Sequence, residues 1–267
     1  MIAFETIPFI LSVFCIILFG YYMIPAGLSY LYFYVIRRDQ WKPRHIQKRY
    51  PQTKSVLREI KWSFSTVLII TLITCIALFS IQEGKTQVYF SIVEYGWYYL
   101  FFSILLYIGL HDTYFYWIHR LLHFKPVFRW VHKTHHLSHT PTPFASLSYN
   151  PLEAFLQFGI NLILIFIIPL HPVAIGILLT HNILLNTGGH TGFEVMPRCF
   201  FHHWFFKYSL TTTHHDMHHT KLNCNYGLYF NIWDRIMGTN HREYEKTFME
   251  VSSEAPDPGK CLTYAGK

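Results

Sequence analysis

Charge is scarce in this chain. Only 14% of its 267 residues are Asp, Glu, Lys or Arg, against about 25% in a typical soluble domain, while 51% are apolar. That balance argues against a water-soluble globule and for a chain whose solvent is partly lipid. Cysteine is equally informative. Cys15, Cys75, Cys199, Cys224 and Cys261 are odd in number and form no C-x-x-C pair, so a disulfide framework and a zinc knuckle are set aside and the thiols read as reduced. Glycine offers no nucleotide cradle, because Gly188, Gly189 and Gly192 neither follow a β-strand nor open a helix in the dinucleotide pattern. No appended haem-binding domain is visible. The N-terminus, MIAFETIPFI, lacks a basic region or cleavage site ahead of its apolar run, so that run is expected to stay in the mature protein.

The charge that is present is placed unevenly. A net +7 could suggest nucleic acid, but Arg37, Arg38, Lys42, Arg44, Lys48, Arg49, Lys54, Arg58 and Lys61 all fall between two long apolar runs. That is the positive-inside signature of a cytoplasmic loop, and no nucleic-acid partner is expected. Residues 7–36 form one tilted or broken span with Pro25 and Gly27 as possible kinks, and 63–81 form a second. Lys54, Arg58 and Lys61 share one face of a surface helix or line a solvated loop. Residues 95–117 cross back. TPTPFASLSYNPLEA, broken by Pro141, Pro143 and Pro151, reads as an irregular connection. The runs 155–170 and 173–185 are a tight pair of spans or a re-entrant hairpin. The fold class expected is all-α: an integral membrane helical bundle of about four to five membrane helices with a cytoplasmic histidine-rich helical cap.

Histidine is abundant, at 18 residues. His119 and His123 stand four apart, His132, His135 and His136 follow as H-x-x-H-H, and His215, His218 and His219 repeat that spacing downstream. Residues three and four apart share a helix face, so each box aims its imidazoles at one region. Eight neutral imidazoles beside membrane segments would each need a partner if buried. A polynuclear metal centre supplies one, since imidazole is the commonest transition-metal ligand. A zinc hydrolase would show H-E-x-x-H or a carboxylate base, and the boxes hold almost no acid. Asp112 and Asp216 stand beside them, either orienting imidazoles or serving as ordinary caps or surface ion pairs. His45, His139, His171, His181, His202, His203, His214 and His241 read as hydrogen-bonded core or interface residues.

HDTYFYWIHRLLH, VHKTHH and HHDMHH, followed by NYGLYFNIWDRIMGT, resemble the fatty acid hydroxylase superfamily of integral membrane di-iron enzymes, and especially its sterol desaturase branch. The likeness runs from about Tyr95 to Thr239 and includes TPTPFASLSYNPLEA and GGHTGFE. It implies metal ligands at His119 and His123, at His132, His135 and His136, and at His215, His218 and His219, with His190 of GGHTGFE as a further ligand. His111 occupies a position where sterol desaturase relatives often carry His, so it is a ligand or a partner that orients one. Asn150 departs from the pattern, standing where many relatives have His before the proline.

The resemblance implies a cofactor of two iron ions and O2-dependent desaturation or hydroxylation of a sterol-like or other long apolar lipid, including fatty acids or alkyl lipids. It also implies a separate electron donor, cytochrome b5-like or ferredoxin-type. The chain is expected to be one catalytic domain: N-terminal membrane helices and basic loop over 1–94, the histidine-box core over 95–245, and a polar tail over 246–267. The boxes should face the cytoplasm, with a bacterial inner membrane favoured and the endoplasmic reticulum if the host is eukaryotic. Two readings of another class are weaker. A b-type cytochrome needs isolated histidines at membrane depth, and a metal transporter needs polar residues in mid-span, which 63–81 lacks of His or acid type.

Overall fold

A computed structural model describes residues 2–253. Most of the 246–267 tail, with Cys261, lies outside the described residues. Among those described the protein is helical, with isolated β-bridges and no strand. Three helices are long and apolar enough to cross a membrane: α1 (Thr6–Ile36), α2 (Thr53–Gln82) and α3 (Ile92–Leu122). They leave large apolar side chains outward, among them Leu72, Phe79, Phe101 and Leu105. A surface of that kind belongs in lipid, and the protein is an integral membrane protein.

α1 is widened where the sequence suggested a break. Pro25 has no N–H to give the preceding turn, and the helix takes π turns over Ile16–Met23 and again over Leu31–Ile36, absorbing the lost bond without splitting the span. α2 starts earlier than the apolar run, so Lys54, Arg58 and Lys61 ride on the first turns of the membrane helix itself. Past a break at Gly96, whose φ of 78° is non-helical, α3 runs on from Trp97 to Leu122 for about 39 Å, beyond the ~30 Å hydrocarbon core. Its last turns, which carry His119, therefore project past the bilayer interior.

Two shorter apolar helices complete the bundle, α4 (Pro151–Ile167) and α5 (Pro172–Gly189). Each begins with Pro in its first turn behind a side-chain cap. Asn150 Oδ1 accepts from Leu152 N at 3.0 Å and His171 Nδ1 accepts from Val173 N at 3.2 Å. Asn150, the departure noted above, is thus a helix N-cap, which Asn does well. α4 packs on α2 and α3, and α5 on α1 and α3.

The proline-broken connection before α4 is irregular, as expected, but it is buried. Thr142 and residues 143–149 are nearly inaccessible, which would be costly for loop backbone left unpaired. The spanning helices supply partners. Ser63 Oγ donates to the Phe144 carbonyl at 3.0 Å and Tyr22 Oη to the same oxygen at 3.2 Å. Asn186 Nδ2 donates to the Ser146 carbonyl at 2.8 Å. At the His119 end of α3, α6 (Thr212–Lys221) and α7 (Tyr244–Ser253) pack on one another. The basic segment folds onto the same end, where Gln47 Nε2 donates to Asp216 at 2.9 Å and Arg58 donates to the Leu137 carbonyl at 2.7 Å.

Candidate metal centre

Nine histidines converge at that end in two groups. His119, His123, His132, His136 and His218 form the first, and His135, His190, His215 and His219 the second; within each group the ligand atoms lie within 4.8 Å of one another. The boxes do not map onto the groups one to one. At about 100° per residue, His132 and His136 lie about 40° apart around the helix axis while His135 is turned about 100° from His136; His132 and His136 enter the first group and His135 the second. On α6 the same rule sends His215 and His219 to the second group and His218 to the first. His190, at the C-terminal end of α5, closes the second group. Eight of the nine are buried and His123 is half-buried.

Hydrogen bonds fix which ring nitrogen is free. His119 Nδ1 lies 2.8 Å from the Tyr226 carbonyl, His218 Nδ1 2.7 Å from the Cys224 carbonyl and His190 Nδ1 2.7 Å from the Asn186 carbonyl. A carbonyl oxygen only accepts, so these Nδ1 atoms carry the proton and each Nε2 presents a lone pair. His132 Nδ1 likewise donates to Glu153 Oε1 at 2.7 Å. Yet the Nε2 atoms of His119 and His132 are 3.1 Å apart, two lone pairs facing one another.

Protonation does not resolve the conflict. Burial, then the neighbouring imidazoles, holds His132, His136 and His218 well below the ordinary histidine range, and the same causes act on His135, His215 and His219. Burial pushes His123 down to about 2 and His190 to about 4. The rings are neutral, and a cation is what their convergent nitrogens fit. His136 Nε2 is 3.0 Å from His132 Nε2 and 3.1 Å from those of His123 and His218, while His190 to His215 is 3.0 Å and His215 to His219 is 3.2 Å. Two imidazoles at right angles around one ion with a metal–nitrogen distance of ~2.1 Å would be ~3.0 Å apart. Both groups can hold a metal ion.

His111 lies outside both groups, stacked between Tyr107 and Tyr229 with ring centroids at 5.6 and 5.3 Å. It sits two helical turns below His119, so the structure does not bring it together with the other nine. Of the two roles open to Asp112 and Asp216, orienting an imidazole or an ordinary capping contact, their hydrogen bonds are of the second kind. Asp112 accepts from the backbone N–H groups of Tyr229 and Phe230 at 2.9 and 3.2 Å, and Asp216 from Gln47. Burial raises Asp216 to about 7. None of the eight histidines read as core or interface residues joins either group. His45, for one, is sandwiched between Tyr50 and Phe193 at 4.6 Å each.

The acid that does orient a ring is Glu153, which belongs to no histidine box. It stands three residues after Asn150, in the first turn of α4, and Gln157 Nε2 donates to it at 2.8 Å. A carboxylate one helical turn into a segment leading away from the second box was the available signal. Asp234 acts at one remove. It accepts from Tyr226 N at 2.8 Å, Gly227 N at 2.9 Å and Thr239 Oγ1 at 2.7 Å, clamping the turn whose Tyr226 carbonyl holds His119. Glu194 accepts from Thr213 N at 2.9 Å and Thr213 Oγ1 at 2.6 Å, fixing the start of α6.

Comparison with known proteins agrees with this arrangement. The model of the fatty acid hydroxylase family matches residues 104–239, which contain all nine histidines. A Delta(7)-sterol 5(6)-desaturase of Gibberella zeae is 32% identical over 228 residues, covering 82% of this chain and 64% of that protein, so the chain spans just under two thirds of its length. A second Delta(7)-sterol 5(6)-desaturase, from Aspergillus fumigatus, is 31% identical over 248 residues, covering 84% of this chain and 72% of that protein. The lathosterol oxidase of Rattus norvegicus is 32% identical over 224 residues, covering 82% and 70%. No solved structure matches.

Proposed function

Because the chain belongs to the fatty acid hydroxylase family, we propose that it is a membrane-bound non-haem di-iron oxidase that desaturates a sterol-like lipid with O2. The observation that carries this reading is the pair of histidine groups with convergent Nε2 lone pairs. His119, His123, His132, His136 and His218 would hold one ion and His135, His190, His215 and His219 the other. Iron at both would supply redox chemistry with O2 that zinc lacks, sufficient for attack on an unactivated C–H bond. Desaturation removes two hydrogens and two electrons from the lipid. Reduction of O2 to two waters requires two more electrons, so a separate donor of cytochrome b5 or ferredoxin type is part of the proposal.

Aromatic rings of the chain itself would shield the first ion. Phe115 packs on His119 at 5.2 Å, and Phe128 and Tyr226 pack on His123 at 5.5 and 5.0 Å. These rings wall the first group with apolar surface and keep water from it. Glu153 and the carbonyls of Tyr226, Cys224 and Asn186 hold their imidazoles in one tautomer and one orientation. The histidine-rich end carries the basic segment, which supports a cytoplasmic location for it. The matched relatives reported are fungal and mammalian. They lend the bacterial inner membrane no support and favour the endoplasmic reticulum.

The test is mass spectrometry of lipid extracts from cells with the protein, without it, and with a His135→Ala variant. A sterol that loses two hydrogens only with the intact protein supports the reading. A gain of one oxygen would reassign it as a hydroxylase of the same family, and unchanged sterols and fatty acids would overturn it.

A further inference from the structure

A second polar site lies inside the membrane bundle, below the histidine groups and separate from them. His111 is 3% exposed, and its Nδ1 has no hydrogen-bond partner. Its ring stacks on Tyr229, whose other neighbour is His181 at 4.8 Å, and His181 Nδ1 is also buried without a partner. The Tyr229 hydroxyl accepts from Asn182 Nδ2 at 2.9 Å, and Asn182 Oδ1 is taken by Tyr21 Oη at 2.6 Å. Asn182 is thereby saturated on the side that faces Tyr229, and the Tyr229 proton has no acceptor among the described residues. Three hydrogen-bonding groups with spare capacity are collected where the surroundings are apolar, an arrangement that is unfavourable unless a ligand completes it.

The site is built, and one of its members borders the lipid. Asp112 pins the backbone of Tyr229 and Phe230, so the ring of Tyr229 is held against His111 by α3 itself. On the outer, lipid-facing side of α5, Val173, Gly176, Ile177, Thr180 and Leu184 line an apolar groove whose inner wall includes His181. The groove would accept hydrocarbon, and the groups behind it call for one small uncharged donor and acceptor. A hydroxyl is both.

We propose that His111, His181 and Tyr229 bind the single hydroxyl of a sterol-type lipid drawn from the bilayer along α5. This rests on the sterol-like substrate proposed above. His111 and His119 are eight residues apart on α3, about 12 Å along the axis, with Phe115 between them on the same face. After a hydrogen bond of ~2.8 Å at the hydroxyl end, the remaining distance brings carbons within a few bonds of the hydroxyl to the first histidine group. The far end of an extended lipid would lie beyond it. The anchor therefore selects a ring carbon near the hydroxyl for oxidation.

Equilibrium binding to the purified full chain in lipid nanodiscs tests this without turnover. A fluorescent sterol is displaced by a Delta(7)-sterol or by the same sterol lacking its ring hydroxyl. The wild-type protein should prefer the hydroxylated form by about tenfold, the scale of one net hydrogen bond. His111→Phe should lower the affinity for the hydroxylated sterol to that of the deoxy analogue, leave the analogue's affinity unchanged and retain full metal content. Equal binding of the two sterols by wild type overturns the anchor while leaving the sterol substrate standing. Failure of wild type to bind either removes the substrate reading and the anchor together. Equal weakening of both sterols in the variant, or loss of metal, would make His111 structural or a ligand and also overturns it. Should His111→Phe not fold, His181→Phe at the half-buried edge is read in the same way, and the wild-type comparison decides regardless.

Discussion

His119 and His132 point unprotonated Nε2 atoms at each other across 3.1 Å, because the Nδ1 proton of one is committed to the Tyr226 carbonyl and that of the other to Glu153. Without a cation this contact is repulsive, and further Nε2 atoms crowd together around His136 and His215. Metal binding is consequently linked to stability: an ion bound only by the folded state stabilises it by RT ln(1 + [L]/Kd), about 4 kcal/mol when free metal is a thousand times Kd. Purified protein reconstituted with ferrous iron under anaerobic conditions should contain about two irons per chain, one for each histidine group. Stripping the metal with a chelator should lower the thermal midpoint, and re-addition should restore it. A midpoint indifferent to metal would contradict the site as described.

Glu153 and His132 make a buried acid–imidazole pair at 2.7 Å. The carboxylate orients the ring and makes its far nitrogen a better donor to a metal, and loss of such a partner typically weakens metal binding 10- to 100-fold. Glu153→Gln preserves an acceptor oxygen and nearly the same volume, so the protein should fold, with an affinity loss of roughly tenfold in the first group. Glu153→Leu leaves His132 Nδ1 without an acceptor and should lose more. Titration against a competing chromophoric chelator reads both, and wild-type affinity in the Leu variant would remove the orienting role.

Much of this centre is legible in the sequence, for a physical reason. The i, i+3 and i+4 spacing of the boxes is the geometry of a helix surface, and the apolar runs report the bilayer directly, so the all-helical class and the membrane helices follow from local pattern. What the spacing does not contain is which ring joins which ion. That depends on how α6 meets the turn at 132–136, a tertiary relation. Glu153 was missed because a single acid after a proline looks like a helix N-terminal residue, which it also is. Adjacency to the boxes leaves Asp112 open as an orienting acid or an ordinary cap, and only the tertiary structure shows it facing the Tyr229 backbone from α3. Burial of the 143–149 segment was similarly invisible, since its satisfaction comes from hydroxyls on distant helices.

Splitting each box between two groups predicts separable losses. His218→Ala removes a first-group nitrogen, and His135→Ala a second-group one. Each variant should remain in the membrane and retain close to one of two irons, by the ligand count, with the loss in a different group for the two variants. Turnover should vanish in both if both ions are needed. Elemental analysis of each purified variant, alongside lipid mass spectrometry, separates metal loss from misfolding. Retained turnover in either would refute the role assigned to that residue.

His45 provides a pH dependence that is independent of the metal. It is 1% exposed, stacked on Tyr50 and Phe193 in the segment that joins the basic loop to the 191–194 turn, and its Nε2 lacks a partner. Burial, reinforced by Lys48 and Arg38, lowers it to about 4, whereas an unfolded histidine titrates near 6.5. Between those values the unfolded chain binds a proton that the folded chain does not. The His45 contribution to stability is therefore complete above about pH 6.5 and is lost as pH falls towards 4, by up to roughly 3 kcal/mol. His45→Phe keeps an aromatic ring between Tyr50 and Phe193 and removes the titration. Its thermal midpoint should fall less than that of wild type between pH 7 and pH 4.5 when both are measured metal-free, and parallel curves would show that His45 already accepts a proton in the folded state.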